Sequence, residues 1–259
     1  MTEGAEQERE VSSENNNEKI KVISCDNWEH FEVQMQDERN RISELRKEPH
    51  RHYSDLLYRG QSDVSWKLLT TLERYSQENN CLIQEYSKKD YFEILRRVWP
   101  VAMSLTSEVY EEPEEPGEPG QDVARAFMAP REYDFMVYLR HHGFPSPLLD
   151  WTISPYVAAF FAFHEKRNSD HVAIYSFQEY AGNGKAWSSK KPFIWTYGSY
   201  IKTHERHYRQ QCEYTVCFTG VGDSYAYHEN AQFDEGQDNL KKYIIPSKER
   251  NRALSKLAL

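Results

Sequence analysis

The chain has 259 residues, a formal net charge of −9 and 39% hydrophobic residues, which is enough for one large domain or two small ones with a sizeable core. No apolar run approaches the roughly 18 residues that a membrane-spanning helix needs, so a protein without membrane spans is predicted. The N-terminal sequence lacks the apolar stretch of a secretory signal, and four scattered cysteines fit neither a disulfide framework nor a paired zinc motif, so a cytoplasmic protein is expected.

The negative charge is confined to two segments. Residues 1–19 and 107–122 hold 13 of the 41 acidic residues and only two of the 32 basic ones. The rest of the chain is close to neutral, which argues against a broad basic surface for nucleic acids but leaves room for a small basic pocket. Residues 1–18 have little to bury and are predicted to be a disordered acidic tail.

The first elements alternate between strand and helix. IKVIS at 20–24 is typical of a strand, and a capping box at 26–29 is predicted to open a helix that runs to about Arg46. DLLYRG at 55–60 is typical of a second strand that ends at a glycine.

A helix and an acidic segment come next. Apolar residues at helical spacing predict a helix over about 82–103, which Pro100 is expected to kink or end. The segment 107–122 is rich in glutamate, proline and glycine, which predicts a flexible acidic insertion within the domain. Both a tolerated surface insertion and a partner-binding segment remain open for it.

Two further helices follow. The first is predicted to have Pro130 at its first position and Gly143 just past its end. The second is predicted to have Ser154 as N-cap and Pro155 as its first residue, and to run to about Arg167. Its sequence is so apolar that we expect it to be buried against a sheet.

The remaining predicted strands lie late in the chain, at 172–177, 192–197, 213–219 and 241–246. Helices concentrated between strands indicate an α+β fold. The simplest assignment is a single domain over residues 19–259, with a split, mostly antiparallel sheet and a central helical region.

Two blocks of sequence resemble the FRG domain family, which is named for its aromatic-Arg-Gly motif. The first block is Tyr58-Arg59-Gly60-Gln61-Ser62-Asp63, followed by Leu72-Glu73-Arg74. The second is His142-Gly143-Phe144-Pro145, followed by Leu148-Leu149-Asp150-Trp151-Thr152. The resemblance covers about residues 20–165, and the Thr-Arg of the family's second block is Ser146-Pro147 here. It implies an occurrence in bacteria and phages, sometimes near defence functions, but no particular reaction.

The first block supplies a candidate anion-binding residue. Arg59 can hold a carboxylate or phosphate with two parallel hydrogen bonds, and Gly60 and Gln61 in the same turn are assigned to the same cofactor-binding site. A structural ion pair between Arg59 and Asp150 or Asp63 is equally open.

The second block supplies a candidate phosphate site. Asp150, Thr152 and Ser154 lie at a predicted helix N-terminus, where free N–H groups favour an anion. Ordinary helix capping by Ser154 is the commoner use of such a segment. His142 is assigned to the same site, with an interaction with the last carbonyls of its own helix as the alternative.

A third group lies near the C-terminus. On an extended strand Gln211 and Glu213 face the same side. The order Arg59, then Thr152 and Ser154, then this pair resembles the Arg–Ser–Glu layout of ADP-ribosyltransferases. The resemblance implies that NAD is the substrate, that Arg59 binds the dinucleotide, that Glu213 is the catalytic carboxylate and that Gln211 helps to choose the acceptor. For Glu213, a solvated strand start is the alternative.

The leading hypothesis is therefore an NAD-using, ADP-ribosyltransferase-like enzyme of a bacterial or phage defence or toxin type, with a protein or nucleic acid as acceptor. The alternative is a non-catalytic module that binds a nucleotide or a partner protein. A nuclease is less favoured, because the sequence has no visible carboxylate cluster for metal ions. No metal site is predicted, because the spacing of His204, Glu205 and His207 is not typical of ligands.

Overall fold

The computed structural model describes residues 20–80, 87–114, 130–182, 184–185, 191–198, 210–221, 224–231 and 237–257. The chain divides into two compact units. Unit 1 comprises Met1–Trp66, Thr152–Lys185 and Ala231–Leu259, and unit 2 comprises Lys67–Trp151 and Ala186–Asn230. The assignment of residues 19–259 to a single domain stays a prediction.

The described residues contain six helices and nine strands. The helices are α1 (Trp28–Leu45), α2 (Thr71–Glu78), α3 (Lys88–Leu105), α4 (Tyr133–His141), α5 (Pro155–His164) and α6 (Arg250–Leu257). The strands are β1 (Lys21–Ser24), β2 (His52–Tyr53), β3 (Leu57–Gln61), β4 (Leu149–Thr152), β5 (His171–Gly182), β6 (Phe193–Thr196), β7 (Cys212–Val221), β8 (Ser224–Tyr227) and β9 (Gln237–Pro246). Four of these helices lie between β3 and β5 in the chain, and most strand pairs are antiparallel, so the predicted α+β class is confirmed. Within the described ranges, no helix has both the length and the apolar character needed to cross a bilayer.

Unit 1 is built around β5. This strand is antiparallel to β3 on one side and to β9 on the other, and β9 is parallel to β1. Eight consecutive residues of β5, from Val172 to Glu179, are buried. Such a run is expected of a strand that is covered on both faces, and it explains why VAIYSF was recognisable from its sequence.

Aromatic side chains fill the core of unit 1. Trp28 and Phe31 on α1 pack with ring centroids 5.3 Å apart, and Phe31 meets Tyr243 of β9 edge-on at 5.4 Å. Phe163 on α5 packs against Trp28 at 6.1 Å. All four rings are almost completely buried, so α1 and α5 are held to the sheet mainly by aromatic burial.

Two helix starts in unit 1 test the sequence predictions. Ser154 is the N-cap of α5, as predicted, with its hydroxyl accepting from the N–H of Val157. The cap of α1 is Asn27, whose side chain accepts from the N–H of His30 at 2.9 Å, so the predicted capping box that began at Asp26 was wrong by one residue.

Helix α5 is buried on one face only. Ala158, Ala159 and Ala162 are inaccessible to solvent, whereas Phe160 and Phe161 are more than 40% exposed. The helix ends at His164 rather than near Arg167. The expectation that this helix is buried against a sheet is confirmed for its inner face, where Ala158 and Ala162 meet Gly60 of β3, whereas its outer face is exposed.

Unit 2 has its own sheet and core. β7 is antiparallel to both β6 and β8, and β4 lies next to β7. Trp151 of β4 donates its indole N–H to the Thr215 hydroxyl of β7 at 2.8 Å. The hydrophobic core draws on α2, α3, α4 and these strands, and its largest buried rings include Tyr91, Phe135, Tyr214 and Phe218.

Two prolines near the helices of unit 2 behave differently from the predictions. Pro100 was expected to kink or end its helix, and it does not end it, because it lies inside α3, which continues to Leu105. α3 begins after Ser87 with a capping box to Asp90, and residues 82–86 of the predicted helix lie outside the described residues. Pro130 is not the first residue of α4, since the helix begins at Tyr133, whose N–H donates to the carbonyl of Pro130.

The acidic segment is described only as far as residue 114. In this part Tyr110 is 8% exposed and packs against Phe135, and its carbonyl accepts from the indole N–H of Trp99. Glu111 pairs with Arg131 at 3.1 Å. The beginning of the segment thus contributes to the core, which its composition did not predict. Residues 115–122 and the acidic tail over 1–18 lie outside the described residues.

Candidate functional site

Arg59 lies in the middle of β3 in unit 1. It is partly buried and stands opposite Tyr175 of β5 in the strand register. Burial raises the pKa of Tyr175 to about 12, and the positive charge of Arg59 acts in the opposite direction. Tyr175 therefore stays neutral at physiological pH next to the positive charge of Arg59. In such partly buried surroundings, a charge-assisted hydrogen bond donated by Arg59 is strong.

Gly60 has a steric role. A methyl group built on its Cα would lie 1.8 Å from the carbonyl oxygen of Ala158 and 2.7 Å from the backbone nitrogen of Ala162. The backbone of β3 therefore touches the backbone of α5, and only glycine permits this approach. Gln61, the next residue, is buried and pairs with Ala173 of β5.

Tyr58 precedes Arg59 and forms part of a cavity. It is 1% exposed, and its hydroxyl is shielded from solvent and has no hydrogen-bond partner among the described residues. Burial raises its pKa, and nearby Arg39 acts in the opposite direction. The cavity has a volume of about 500 Å³, lies between α1 and β3, and is also lined by Arg46 and Ile153.

The hydroxyls predicted to bind phosphate have local partners. The Thr152 hydroxyl accepts from the N–H of Ser154 at 3.1 Å, and the Ser154 hydroxyl caps α5 through Val157 at 3.3 Å. Thr152 also pairs with Tyr58 in the strand register. The commoner use of this segment, helix capping, is therefore present.

Asp150 forms an ion pair with Arg140. Two of the three guanidinium nitrogens, Nε and Nη2, each donate to one of the two carboxylate oxygens. The Arg140 side chain is 8% exposed, and its Nη1 donates to the hydroxyl of Thr71 at 3.2 Å. Burial lowers the pKa of Arg140, but the Asp150 carboxylate, the hydrogen bonds to it and two nearby tyrosines together raise it above its usual value, so Arg140 is charged. Sequence reasoning missed Arg140, since nothing in the order of residues links it to Asp150.

His142 interacts with its own helix. Its Nδ1 lies 2.8 Å from the carbonyl oxygen of Tyr138, and its ring packs on that of Tyr138 at 4.3 Å. It is the C-cap residue of α4, and Gly143 follows with a φ of +82°. The alternative role at the last carbonyls of the helix is therefore the one observed.

Glu213 and Gln211 do not share one extended segment. Glu213 is the second residue of β7 and is partly buried, with its Oε2 shielded from solvent. Gln211 is exposed and has a φ of +49°, in the left-handed region, in the turn before the strand. The strand alternation that was predicted to place both side chains on one side therefore stops at Cys212, and that prediction was wrong.

Gly198 and Tyr133 lie close to the Glu213 carboxylate. The N–H of Tyr197 donates to the carbonyl of Tyr214 just past the last β6–β7 pair, which brings Gly198 to Glu213. A methyl group on Gly198 would lie 4.0 Å from Oε2. Tyr133 donates its hydroxyl to the Gly198 carbonyl at 2.7 Å. Burial, then Tyr214 and then Glu213 raise the pKa of Tyr133, so it stays a neutral donor beside this carboxylate.

The surroundings of Cys212 disfavour its thiolate form. Burial, followed by the Asp150 and Glu213 carboxylates, raises the pKa of its thiol to about 12. A thiol is reactive mainly as its thiolate, which this environment disfavours. Within the described ranges, no group of three His, Cys, Asp or Glu side chains is arranged to hold a metal ion.

The predicted site residues fall into two groups. Arg59, Gly60, Gln61, Thr152 and Ser154 belong to unit 1. His142, Asp150, Gln211 and Glu213 belong to unit 2. Within each unit, the contacts above show that most of these residues also have structural partners.

Comparisons with known proteins gave one match, to a family model. Searches of curated proteins and of solved structures gave no significant match. The family model described as the FRG domain matches residues 54–171, which includes both blocks of the signature and ends before Gln211 and Glu213. Residues 54–171 of this chain are therefore similar to the FRG domain.

Proposed function

We propose that this protein uses NAD as a substrate and transfers ADP-ribose from it to a protein or nucleic-acid acceptor, in a bacterial or phage defence or toxin role. Glu213 is the catalytic carboxylate in this proposal. The roles of Arg59 as a dinucleotide-binding residue and of Gln211 in acceptor choice rest on the resemblance to ADP-ribosyltransferases alone.

The setting of Glu213 is the observation that carries the proposal. The carboxylate is shielded from solvent on one oxygen, lies next to Gly198 and is close enough to Tyr133 to raise the pKa of that phenol. A carboxylate fixed in such surroundings interacts strongly with a positive charge, because little water screens it.

The proposed reaction needs such a charge. The bond between ribose C1′ and the nicotinamide nitrogen breaks, both electrons leave with neutral nicotinamide, and positive charge develops on the ribose. Glu213 stabilises this charge through its fixed position. A nucleophile on the acceptor then forms the new bond to C1′ and releases a proton.

A non-catalytic nucleotide-binding or partner-binding module is the second candidate. The observation that favours it is the structural use of the predicted phosphate-binding residues. Asp150 is paired with Arg140, and the Thr152 and Ser154 hydroxyls stabilise the start of α5. A module of this kind binds its ligand without breaking a bond in it.

The test compares Glu213→Gln with a matched variant. Glutamine keeps the size of the side chain and removes its charge, so nicotinamide release is expected to fall about 100-fold or more. Glu132→Gln is the control, because Glu132 is also a buried carboxylate of unit 2 whose burial raises its pKa. Release of nicotinamide is measured with purified protein and in lysate, together with labelling by tagged NAD, so that a missing acceptor does not mask the activity.

The outcomes separate the two candidates. A transferase releases nicotinamide in the wild type and in Glu132→Gln but not in Glu213→Gln, with the melting temperatures of all three close together. NAD binding without release in any setting identifies the binding module. Absence of both binding and release contradicts the transferase and an NAD-binding module, and leaves only a module that binds another ligand or a partner protein.

A further inference from the structure

Unit 1 contains a cavity in which basic residues outnumber acidic ones. Its volume is about 340 Å³, within the range of small-molecule sites. We name it the cationic cavity, and it is lined by Ser62, Phe163, Glu165, Lys166, Arg167, Val172, Ser247, Lys248, Arg250 and Asn251. Four of these residues are basic and one is acidic, although the whole chain has a net charge of −9.

Two arginines of the cavity are held in place. Arg250, the first residue of α6, donates from Nε to the carbonyl of Phe163 at 2.8 Å and from Nη2 to that of His164 at 3.2 Å. These acceptors are neutral, so the charge of Arg250 is not cancelled. Arg167 pairs with Glu165 and lies 5.4 Å from the ring centroid of Trp66.

Two lysines complete the positive charge. Lys166 and Lys248 are exposed, and neither makes a hydrogen bond or ion pair with another described residue. With Glu165 paired to Arg167, the lining keeps three positive charges that no carboxylate of the cavity offsets. Glu249 lies nearby in sequence but does not line the cavity, and its carboxylate accepts from the N–H of Trp28 at 3.2 Å.

The wall beneath these charges excludes water. Phe163 and Val172 are 1% and 3% exposed, and Ser62, from the first FRG block, is 6% exposed. Apolar walls strengthen the field of nearby charges. The short 3₁₀ turn at Ser247–Glu249 leads into α6, so the positive end of that helix dipole also lies at the cavity.

We propose that the cationic cavity binds a small phosphate-bearing molecule. The charge suits a group with two or more negative charges, and the apolar wall suits an organic portion beside it. This inference does not depend on the proposed transferase, because none of the residues assigned to that reaction lines the cavity.

The experiment uses inorganic pyrophosphate as the probe and the full chain as the protein. Binding is measured by calorimetry at constant ionic strength, with the wild type, Lys166→Ala, Lys248→Ala and the double variant. Each single change is expected to weaken binding about threefold, and the double change about tenfold, as for exposed charge pairs. Lys47→Ala is the control, because Lys47 is an exposed lysine of unit 1 that pairs with Glu44 outside the cavity.

The result can overturn the proposal in either of two ways. Pyrophosphate that fails to bind the wild type, or that binds the double variant and the wild type equally, contradicts a phosphate site here. Both lysines lack structural partners, so unchanged melting temperatures are expected and a folding defect does not confuse the result. Nicotinamide release is followed in the same proteins, and its presence or absence tests the transferase separately.

Discussion

The two blocks of the FRG signature use their central residues in different ways. In the first block, Gly60 allows two backbones to touch, and any side chain there meets the carbonyl of Ala158. In the second block, Asp150 neutralises Arg140, whose side chain is 8% exposed. The first constraint is steric and concerns space alone, whereas the second is electrostatic and concerns a pair of charges. A signature residue can therefore be needed for the fold in either block without touching a ligand.

The steric constraint predicts the largest effect. In Gly60→Ala the new methyl group has no room, because backbone atoms of α5 cannot turn away as a side chain can. We expect a loss of about 4 kcal/mol or more in the free energy of unfolding, or failure to fold. Urea denaturation measures it. Gly184→Ala is the control, since a methyl group there meets nothing within 4 Å and the change is expected to be small. Equal stability of the two variants would contradict the close packing of β3 on α5.

Breaking the ion pair between Asp150 and Arg140 is expected to cause a smaller loss of stability, which a second substitution can offset. Asp150→Asn leaves the Arg140 charge without its carboxylate, and we expect a loss of about 2 kcal/mol, since Asp150 itself is 39% exposed. Arg140→Gln is expected to lower the free energy of unfolding much less in the Asp150→Asn variant than in the wild type. A double-mutant cycle by urea denaturation measures this coupling, and a coupling near zero would contradict the pair.

The buried carboxyl of Glu73, in the first block, is expected to make the stability of the protein depend on pH. It is 2% exposed, and burial raises the pKa of its carboxyl from 4.5 to about 7, against the hydrogen bonds from Thr70 that lower it. The folded state therefore keeps a proton that the unfolded state loses, so this group lowers stability as the pH rises from about 4.5 to about 7. The effect is about 3 kcal/mol at most.

Glu73→Gln removes this titration and retains an acceptor for the N–H of Thr70. The stability of the variant relative to the wild type is expected to rise between pH 5 and pH 7 and to be constant above. Urea denaturation at a series of pH values measures the difference. A constant difference over this range would show that the carboxyl titrates normally.

The smallest expected loss of stability comes from removing the hydroxyl group of one of two tyrosines in unit 1. Tyr243 donates its buried hydroxyl to Glu38 at 2.5 Å, whereas the Tyr58 hydroxyl has no partner among the described residues. We expect Tyr243→Phe to cost about 1.5 kcal/mol and Tyr58→Phe to cost nothing or to stabilise slightly. The midpoints of urea denaturation measure both changes in stability. A loss for Tyr58→Phe as large as that for Tyr243→Phe would mean that Tyr58 has a partner, such as a ligand in the cavity beside it.

Local signals predicted much of the fold. The alternation and apolar runs located the long strands, and Ser154-Pro155 located the start of α5, because these features act within a few residues. β4 was not predicted, because Leu149–Thr152 is short and follows two prolines. The uninterrupted course of α3 through Pro100 depends on packing that a local rule does not include.

The site was less predictable than the fold. The partner of Asp150 is Arg140, on a different element, and only the folded chain brings them together. The left-handed turn at Gln211 could not be recognised from a residue that more often adopts extended or helical conformations. Tyr133 and Gly198, which lie close to Glu213, come from separate stretches of the chain, so the surroundings of this carboxylate left no local pattern.

Nicotinamide release from NAD by the wild-type protein and by Glu213→Gln tests the central claim most directly. The account predicts release by the wild type in lysate or with purified protein, and a fall of about 100-fold or more in Glu213→Gln at an unchanged melting temperature. Equal release by the two proteins would contradict the role of Glu213, and no release by the wild type in either setting would contradict the transferase.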